Sequence, residues 1–316
     1  MTITEDRADT QRGALPARTG PARIDDTGYT VPVNPAKNLR VSVVIPARNE
    51  AKSLPHVLPR LPSWVHEVIL VDGLSVDDTS AVAKLEMPAI RIVEQTGKGK
   101  GNALREGFIN CTGDIVIAID ADGSMDPLEM DRYVELIAMG FDYVKGSRML
   151  PGGSSEDLTG FRRMGNWMFR TLTNLLTGSR YSDLCYGYFA FRRGTVDTLD
   201  LRGDGFEIET EINIRAHRAG LRIAEVPSVE EQRRHGASQL SAVKDGFRIL
   251  FTILRTSLGR QGNIEPLDSP HIGSAMATDG IASAPATVRI QPLAASTDRD
   301  GAVGSEYHHP ADRMSD

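Results

Sequence analysis

Three near-continuous runs of Val, Ile and Leu, VSVVIPA (41–47), EVILVDG (67–73) and DIVIAIDAD (114–122), restrict the fold more than any other feature of the chain. A strand that is apolar at nearly every position, instead of every second one, needs cover on both faces. That is the pattern of a mostly parallel sheet held between helices. Two weaker runs, IRIVEQ (90–95) and FDYVKGSR (141–148), continue the series. Between the runs lie SLPHVLPRL, DDTSAVAKL, GNALREGFI and DPLEMDRYVELIAM, each with helical character. The alternation predicts an α/β fold over residues 38–258, doubly wound, with a mostly parallel central sheet and helices on both faces. Residues 1–37 and 259–316 lack apolar periodicity and are rich in Thr, Ser, Pro, Gly, Ala and Asp, so disordered tails are expected there.

Composition removes several function classes. A net charge of -6 gives no whole-chain case for nucleic-acid binding. Cys111 and Cys185 are too few for a disulfide framework and lack a paired metal-ligand spacing, so they read as buried thiols. No apolar run approaches the roughly 18–20 residues that span a bilayer, and the first residues carry no apolar signal core. The expectation is therefore a cytoplasmic protein.

In doubly wound sheets ligands bind beyond the carboxyl ends of the strands. Those ends read PARNE, DGLSVDD, TGKGKG and DADG. If the fourth strand stays extended through Asp122, then Asp120 and Asp122 point to one side. Two anions so placed call for a cation, and hard oxygen ligands favour Mg²⁺ or Mn²⁺ shared with substrate phosphates. A surface turn with helix-capping aspartates is the plainer alternative. An EF-hand loop fails because Met125 occupies the position that needs Gly. Asp120-Ala121-Asp122-Gly123-Ser124 also matches locally the nucleophile motif of haloacid-dehalogenase-like phosphatases. There, however, the motif opens its domain, whereas three strands precede it here. TGKGKGNALREG (96–107) lacks the Ser or Thr of a Walker loop, and no GxGxxG follows the first strand. Lys98 and Lys100 can still neutralise a diphosphate. Asp72 can accept from the imide N–H of uracil or guanine, with Pro46, Asn49 and Glu50 as the wall beside base and ribose.

Together, VSVVIPARNE, EVILVDGLSVDDT, GKGKGNALREG and GDIVIAIDADG resemble the N-terminal half of family 2 glycosyltransferases, which have the GT-A fold; the likeness covers about residues 41–255. The resemblance implies that Asp120 and Asp122 are a DxD metal site. It makes Asp72 a base contact, Pro46 and Glu50 nucleotide contacts, and Lys100 part of the GKG turn. In the second half, GSRM, NWMFRTLTNLLTG, SDLCYGYFAFRR and RRHGASQL are similar to the dolichol- and polyprenyl-phosphate mannosyl- and glucosyltransferases. In that subgroup, segments matching Arg148, Asp183 and Arg233 lie near the acceptor phosphate or the donor diphosphate. His235 resembles a metal-completing histidine of glucosyl-3-phosphoglycerate synthases; a lone surface histidine is the alternative. Arg48 replaces a frequent aromatic residue, VDGLS lacks the second Asp of VDDGS, and Gln239 stands where Lys is usual. The implied activity is metal-dependent, inverting transfer of a hexose from a GDP- or UDP-sugar to a polyprenyl phosphate. The alternatives are transfer to a hydroxyl of a small soluble acceptor, a DxDG phosphatase, and a silent nucleotide-sugar binder.

The acceptor decides whether a base is needed. A lipid phosphate is ionised near neutral pH; a hydroxyl needs a general base within about 3 Å. Glu207, Glu209 and Glu211 recur at i, i+2 and i+4, so on a helix Glu207 and Glu211 share a face and Glu209 lies elsewhere. A solvated helix face is the plain reading of this series, and Asp183 is a rival base or an orienting group. Two basic amphipathic segments, FRRMGNWMFRTLTNLLTG and SAVKDGFRILFTILRTSL, are expected to dock on the protein's own core. A peripheral position on the inner membrane face is the alternative for both, and a homodimer interface for the second.

Overall fold

The computed structural model describes residues 38–236 and 241–259, with 23–24, 30–31 and 288–289 as isolated two-residue strand segments. The expected tails fall almost entirely outside the described residues, as does Gln239. Seven strands form the central sheet: β1 (Val41–Ala47), β2 (Glu67–Asp72), β3 (Arg91–Glu94), β4 (Ile115–Ala118), β5 (Tyr143–Ser147), β6 (Phe189–Arg192) and β7 (Ile223–Pro227). Their order is β7-β5-β6-β4-β1-β2-β3, with Val288–Arg289 pairing beyond β7. All neighbours run parallel except β6, which is antiparallel to both β4 and β5.

The apolar runs behave as their composition demands. Along β1, Val41, Val43, Ile45 and Ala47 enter one core while Val44 enters the other. On β2, Val68 and Leu70 alternate with Ile69 and Val71, and on β4, Ile115 and Ile117 alternate with Val116 and Ala118. Each strand thus feeds two cores, which is why apolar residues fill nearly every position; the buried Ser42 of β1 is accommodated by donating to Glu67 at 2.6 Å. The first core is closed by α1 (Leu54–Val57), α2 (Thr79–Glu86) and α4 (Met130–Ala138), the second by α3 (Lys100–Asn110), α5 (Gly160–Thr177), α7 (Ile208–Arg218) and α8 (Ala242–Leu258). A short α6 (Arg193–Thr198) follows β6 directly. Helix α5 starts where Thr159 accepts from the Arg162 amide and stops at Gly178, whose φ of 74° is the left-handed stop that glycine permits.

Two expectations change. Strand β4 ends at Ala118, four residues short of the extended run through Asp122, so the two acids sit on a turn and not on one strand face. The antiparallel β6 and the return strand β7 come from segments that carry no unbroken Val/Ile/Leu run, FAFR and IAEVP.

Candidate active site

After β1 the chain moves outward through β2 and β3, then returns to place β4 on the other side of β1. That reversal leaves the carboxyl ends of β1 and β4 open beside each other, the usual position of a ligand crevice. A cleft of about 300 Å³ lies there. Its walls come from Pro46, Ala47, Arg48 and Glu50 after β1, Gly73 and Leu74 after β2, Gln95 and Lys98 after β3, and Asp120 to Asp122 after β4. Lys100, Phe206 and Arg233 complete it.

Charges pair across this cleft in two sets. Lys100 Nζ stands 2.6 Å from Asp120 Oδ1 and 2.7 Å from Glu209 Oε1. Arg233 Nη2 lies 3.2 Å from Asp122 Oδ2 and 3.6 Å from Asp157 Oδ2, and Asp157 also faces Arg162 Nη1 at 3.6 Å. A side chain at Gly187 would collide with the first set, since a Cβ there would lie 2.6 Å from Lys100 Nζ and 2.7 Å from Glu209 Oε1. Burial works against the Lys100 charge, but Asp120 and Glu209 outweigh it and hold its pKa above the usual lysine range. Asp120 is pushed above the ordinary carboxylate value by burial, opposed by Lys100 and reinforced by Asp122. Glu50 is raised as well, again chiefly by burial and further by Asp122 and Asp120. Within the cleft the carboxylates of Glu50, Asp120 and Asp122 thus stand close enough to interact, among the basic side chains of Arg48, Lys98, Lys100 and Arg233. The Nε of Arg233 is buried without a hydrogen-bond partner among the described residues.

Several expected residues are placed elsewhere. Gly97 and Gly99 of GKGKG line the cleft, while Gly99 and Gly101 are also packed tightly against a neighbouring loop. Gly101 and Asn102 amides donate to the Asp204 carbonyl at 2.8 and 3.2 Å, and a Cβ on Gly99 or Gly101 would strike the backbone of Gly203 and Asp204. Their role is to bring α3 against that loop, and Gly99 adds a φ of 92°. Asn49 is exposed and ties two loops, its amide donating to Ser75 Oγ and its Oδ1 accepting from Val76. Asp72 does not line the cleft; its oxygens accept from the Ser75 amide and Ser80 Oγ at 3.0 and 2.8 Å. Arg148 and Asp183 are buried together beside the cleft instead of lining it. His235 is exposed, with its ring 5.8 Å from that of His56, and is not among the cleft residues. Pro46, Glu50, Lys100, Asp120, Asp122 and Arg233 are brought together as expected.

The acidic triplet resolves as helical geometry requires. Glu211 turns to Arg215, Arg255 and the Gly203 amide, and Glu207 accepts from the Asp204 and Gly205 amides. Glu209 alone reaches the cleft's ions. The segment is no solvated face, since every residue from Ile208 to Ile214 is buried. Phe206, Gln95 and Asp157 were not foreseen. For Phe206 the signal was a lone aromatic ahead of the glutamates, and for Gln95 the polar residue closing the third run.

Residues 42–199, half of the chain, match the family described as Glycosyl transferase family 2. The chain belongs to glycosyltransferase family 2. Undecaprenyl-phosphate mannosyltransferase of Micrococcus luteus is 34% identical over 215 residues, covering 64% of this chain and 88% of that protein. Polyprenol monophosphomannose synthase of Mycolicibacterium smegmatis is 30% identical, over 64% of this chain and 81% of its own. Among solved structures, glucosyl-3-phosphoglycerate synthase from Mycobacterium tuberculosis, in complex with Mn²⁺, UDP and glucosyl-3-phosphoglycerate, superposes with a TM-score of 0.58 at 25% identity, covering 72% of this chain and 84% of that one. The chain is thus a glycosyltransferase of GT-A fold, with Lys100, Asp120, Asp122 and Arg233 at its cleft.

The donor set of this transferase suits a hard divalent cation shared with substrate. Asp120 and Asp122 offer carboxylate oxygens at one turn, and no cluster of three or more His, Cys, Asp or Glu ligands exists among the described residues. A cation held there would need further oxygen ligands from outside the chain, which substrate phosphates and water can supply. Lys100 competes for Asp120, and Glu209 moderates that competition by holding the same ammonium group. Glu209→Gln removes the counter-pull, so the midpoint for Mg²⁺ or Mn²⁺ activation is expected to rise about tenfold. A metal titration of transfer rate checks this. An unchanged midpoint with a lower kcat and an altered pH profile would make Glu209 a general base instead.

Proposed function

We propose that this family 2 transferase moves a hexose from a GDP- or UDP-sugar to a polyprenyl phosphate, with inversion at the anomeric carbon. The observation that carries the reading concerns the side chains offered as bases. Glu207 accepts from the Asp204 and Gly205 amides and Glu211 pairs with Arg215 and Arg255, and neither lines the cleft, which leaves Asp183 and Glu209. Asp183 is locked to Arg148, with Nε–Oδ2 2.8 Å and Nη2–Oδ1 3.0 Å, and burial is outweighed by that guanidinium so that its pKa falls to about 2. Glu209 is held by Lys100 at 2.7 Å. Neither is free to take a proton from a hydroxyl, whereas a phosphate acceptor needs no such help. The names of the curated relatives agree with this acceptor class.

In this reading Pro46 and Glu50 flank the nucleoside, and Asp120 with Asp122 hold the metal. Bound there, Mg²⁺ or Mn²⁺ would supply Lewis-acid stabilisation of the leaving diphosphate. Lys100, charged across the working pH range, and Arg233, whose guanidinium lines the cleft, add fixed positive charge on the same oxygens. Arg148 and Asp183 keep the loop beside the cleft in shape. Among the described residues no helix is long and apolar enough to cross a membrane, so a lipid acceptor must be met at a membrane surface.

The test is incubation with Mg²⁺ or Mn²⁺, radiolabelled GDP- and UDP-hexoses and a polyprenyl phosphate. Label is expected in the organic phase. The rate should level off above about pH 7, once the phosphate, with its second pKa near 6, is fully ionised. Glucosyl-3-phosphoglycerate synthase, the structural neighbour, is the model for the rival outcome. Label confined to water-soluble product, with a rate that climbs through the pKa of a base, overturns the lipid reading.

A further inference from the structure

Helices α5 and α8 pack side by side over the second core. Helix α5 buries Asn166, Phe169 and Thr173, and α8 buries Asp245, Ile249, Thr252, Ile253 and Thr256. At about 100° per residue the positions opposite these include Phe161, Met164 and Met168 on α5 and Phe247, Phe251 and Leu258 on α8. All six are exposed, Phe247 at 70% and Phe251 at 66%, and Trp167 beside them is 58% exposed. Docking on the protein's own core, the arrangement expected for these segments, therefore uses only the inner face of each helix. Ten of the seventeen exposed large hydrophobic side chains among the described residues lie on these two helices. Apolar surface so concentrated marks a contact site.

Charge selects the occupant. The chain carries -6 overall, yet α5 and α8 hold six basic side chains; Arg162, Arg248 and Arg255 pair with Asp157, Asp245 and Glu211, and Arg163 and Lys244 stand exposed beside the apolar stripe. A symmetric dimer through this face would set one basic rim against another. A bilayer with anionic headgroups satisfies both the apolar stripe and its rim. The face also adjoins the cleft. The first turn of α5 connects through Arg162, Asp157 and Arg233 to Asp122, and Arg248 of α8 lies against Gly205, next to the cleft residue Phe206.

We propose that the outward faces of α5 and α8 seat the protein on an anionic lipid surface, with the basic rim at headgroup level and the Asp122–Arg233 side of the cleft beside it. The seat rests on exposure and charge alone; its use in delivering an acceptor rests on the lipid-phosphate reading above.

The experiment mixes the full chain with vesicles of phosphatidylcholine, alone or with phosphatidylglycerol. Co-sedimentation is expected with the anionic vesicles, weakened by salt, with a blue shift in fluorescence that Trp167→Phe removes, Trp64 being the other tryptophan and partly buried against the first core. Phe247→Ser with Phe251→Ser, and separately Arg163→Glu with Lys244→Glu, should each lower the partition coefficient about tenfold or more. Both variants should unfold at the wild-type urea midpoint and keep wild-type transfer to a short-chain, water-soluble prenyl phosphate. Unchanged binding in both variants, or equal binding to neutral and anionic vesicles, overturns the proposal. So does a wild type that ignores vesicles while forming a dimer that the Phe247→Ser/Phe251→Ser variant loses. Vesicle binding without transfer to any prenyl phosphate would support the seat and sink the acceptor reading. Transfer to the short-chain acceptor without vesicle binding would do the reverse.

Discussion

Asp122→Ala is expected to abolish metal-dependent nucleotide binding and to lower kcat/KM by about a thousandfold or more. The size follows from how few groups share the work. Asp122 is one of two carboxylates at the turn, and no third ligand cluster among the described residues can replace it. Its loss also releases Arg233, which then keeps only Asp157 at 3.6 Å and is no longer fixed at the cleft. On the proposed reading, the metal site and the Arg233 contact to the diphosphate would be disturbed together. Titration calorimetry with UDP or GDP in the presence and absence of Mn²⁺ reads the first part, and steady-state transfer reads the second. Tight, metal-dependent binding by the variant would place the cation site elsewhere. The variant should remain folded, because Asp122 serves the turn only through the Ser124 amide at 3.0 Å, and the strand before it is complete at Ala118.

Why some of this was legible in the sequence and some was not follows from which interactions are local. The runs at 41–47, 67–73 and 114–118 reveal the sheet because burial on both faces favours an apolar residue at nearly every position, and that constraint acts on each position alone. Strand β6 escaped because FAFR pairs antiparallel with two strands far away in sequence, and nothing local distinguishes it from a turn after CYGY. At the site, Asp120, Asp122, Glu50 and Lys100 could be placed because each follows a strand end. Asp72 and Asn49 follow strand ends too, yet both are taken up by nearby amides and hydroxyls, the ordinary competition that turn residues face. The glycines of the 96–107 loop were ambiguous for a similar reason. A glycine admits a phosphate or another backbone equally well, and here the close neighbour is the loop at Gly203 and Asp204. The exposed face of α5 and α8 was ambiguous in kind. Helical periodicity tells that a stripe exists, but only packing tells whether it points inward.

Arg148→Met is expected to destabilise the fold by about 3–5 kcal/mol, because it leaves a buried carboxylate without its partner. Asp183 is fully buried and receives Arg148 through Nε, Nη2 and the backbone amide, while the same guanidinium reaches Glu230 at 3.1 Å and the Cys185 carbonyl at 2.7 Å and lies 4.7 Å from the Tyr186 ring centroid. Replacing both members, Arg148→Met with Asp183→Leu, should recover part of the loss, since Asp183 is then no longer a stranded charge while Glu230 still lacks Arg148 and keeps only Ser155 Oγ. Urea midpoints of the single and double variants measure the coupling. The pH dependence has a definite sign. Asp183 is held at about 2, below its ordinary value of 3.8, so its contribution is complete above roughly pH 4 and fades as pH falls toward 2. That shift corresponds to about 2–3 kcal/mol of stability. Acid unfolding of the wild type should therefore steepen in that window, and the double variant should lack this component. The same variants decide the chemistry of Asp183. As the anchor of Arg148, Asp183→Asn lowers stability and moves kcat only as far as the loop loosens. As a proton acceptor it would lower kcat in a protein of wild-type stability, and that result would return Asp183 to the reaction and reopen the hydroxyl acceptor.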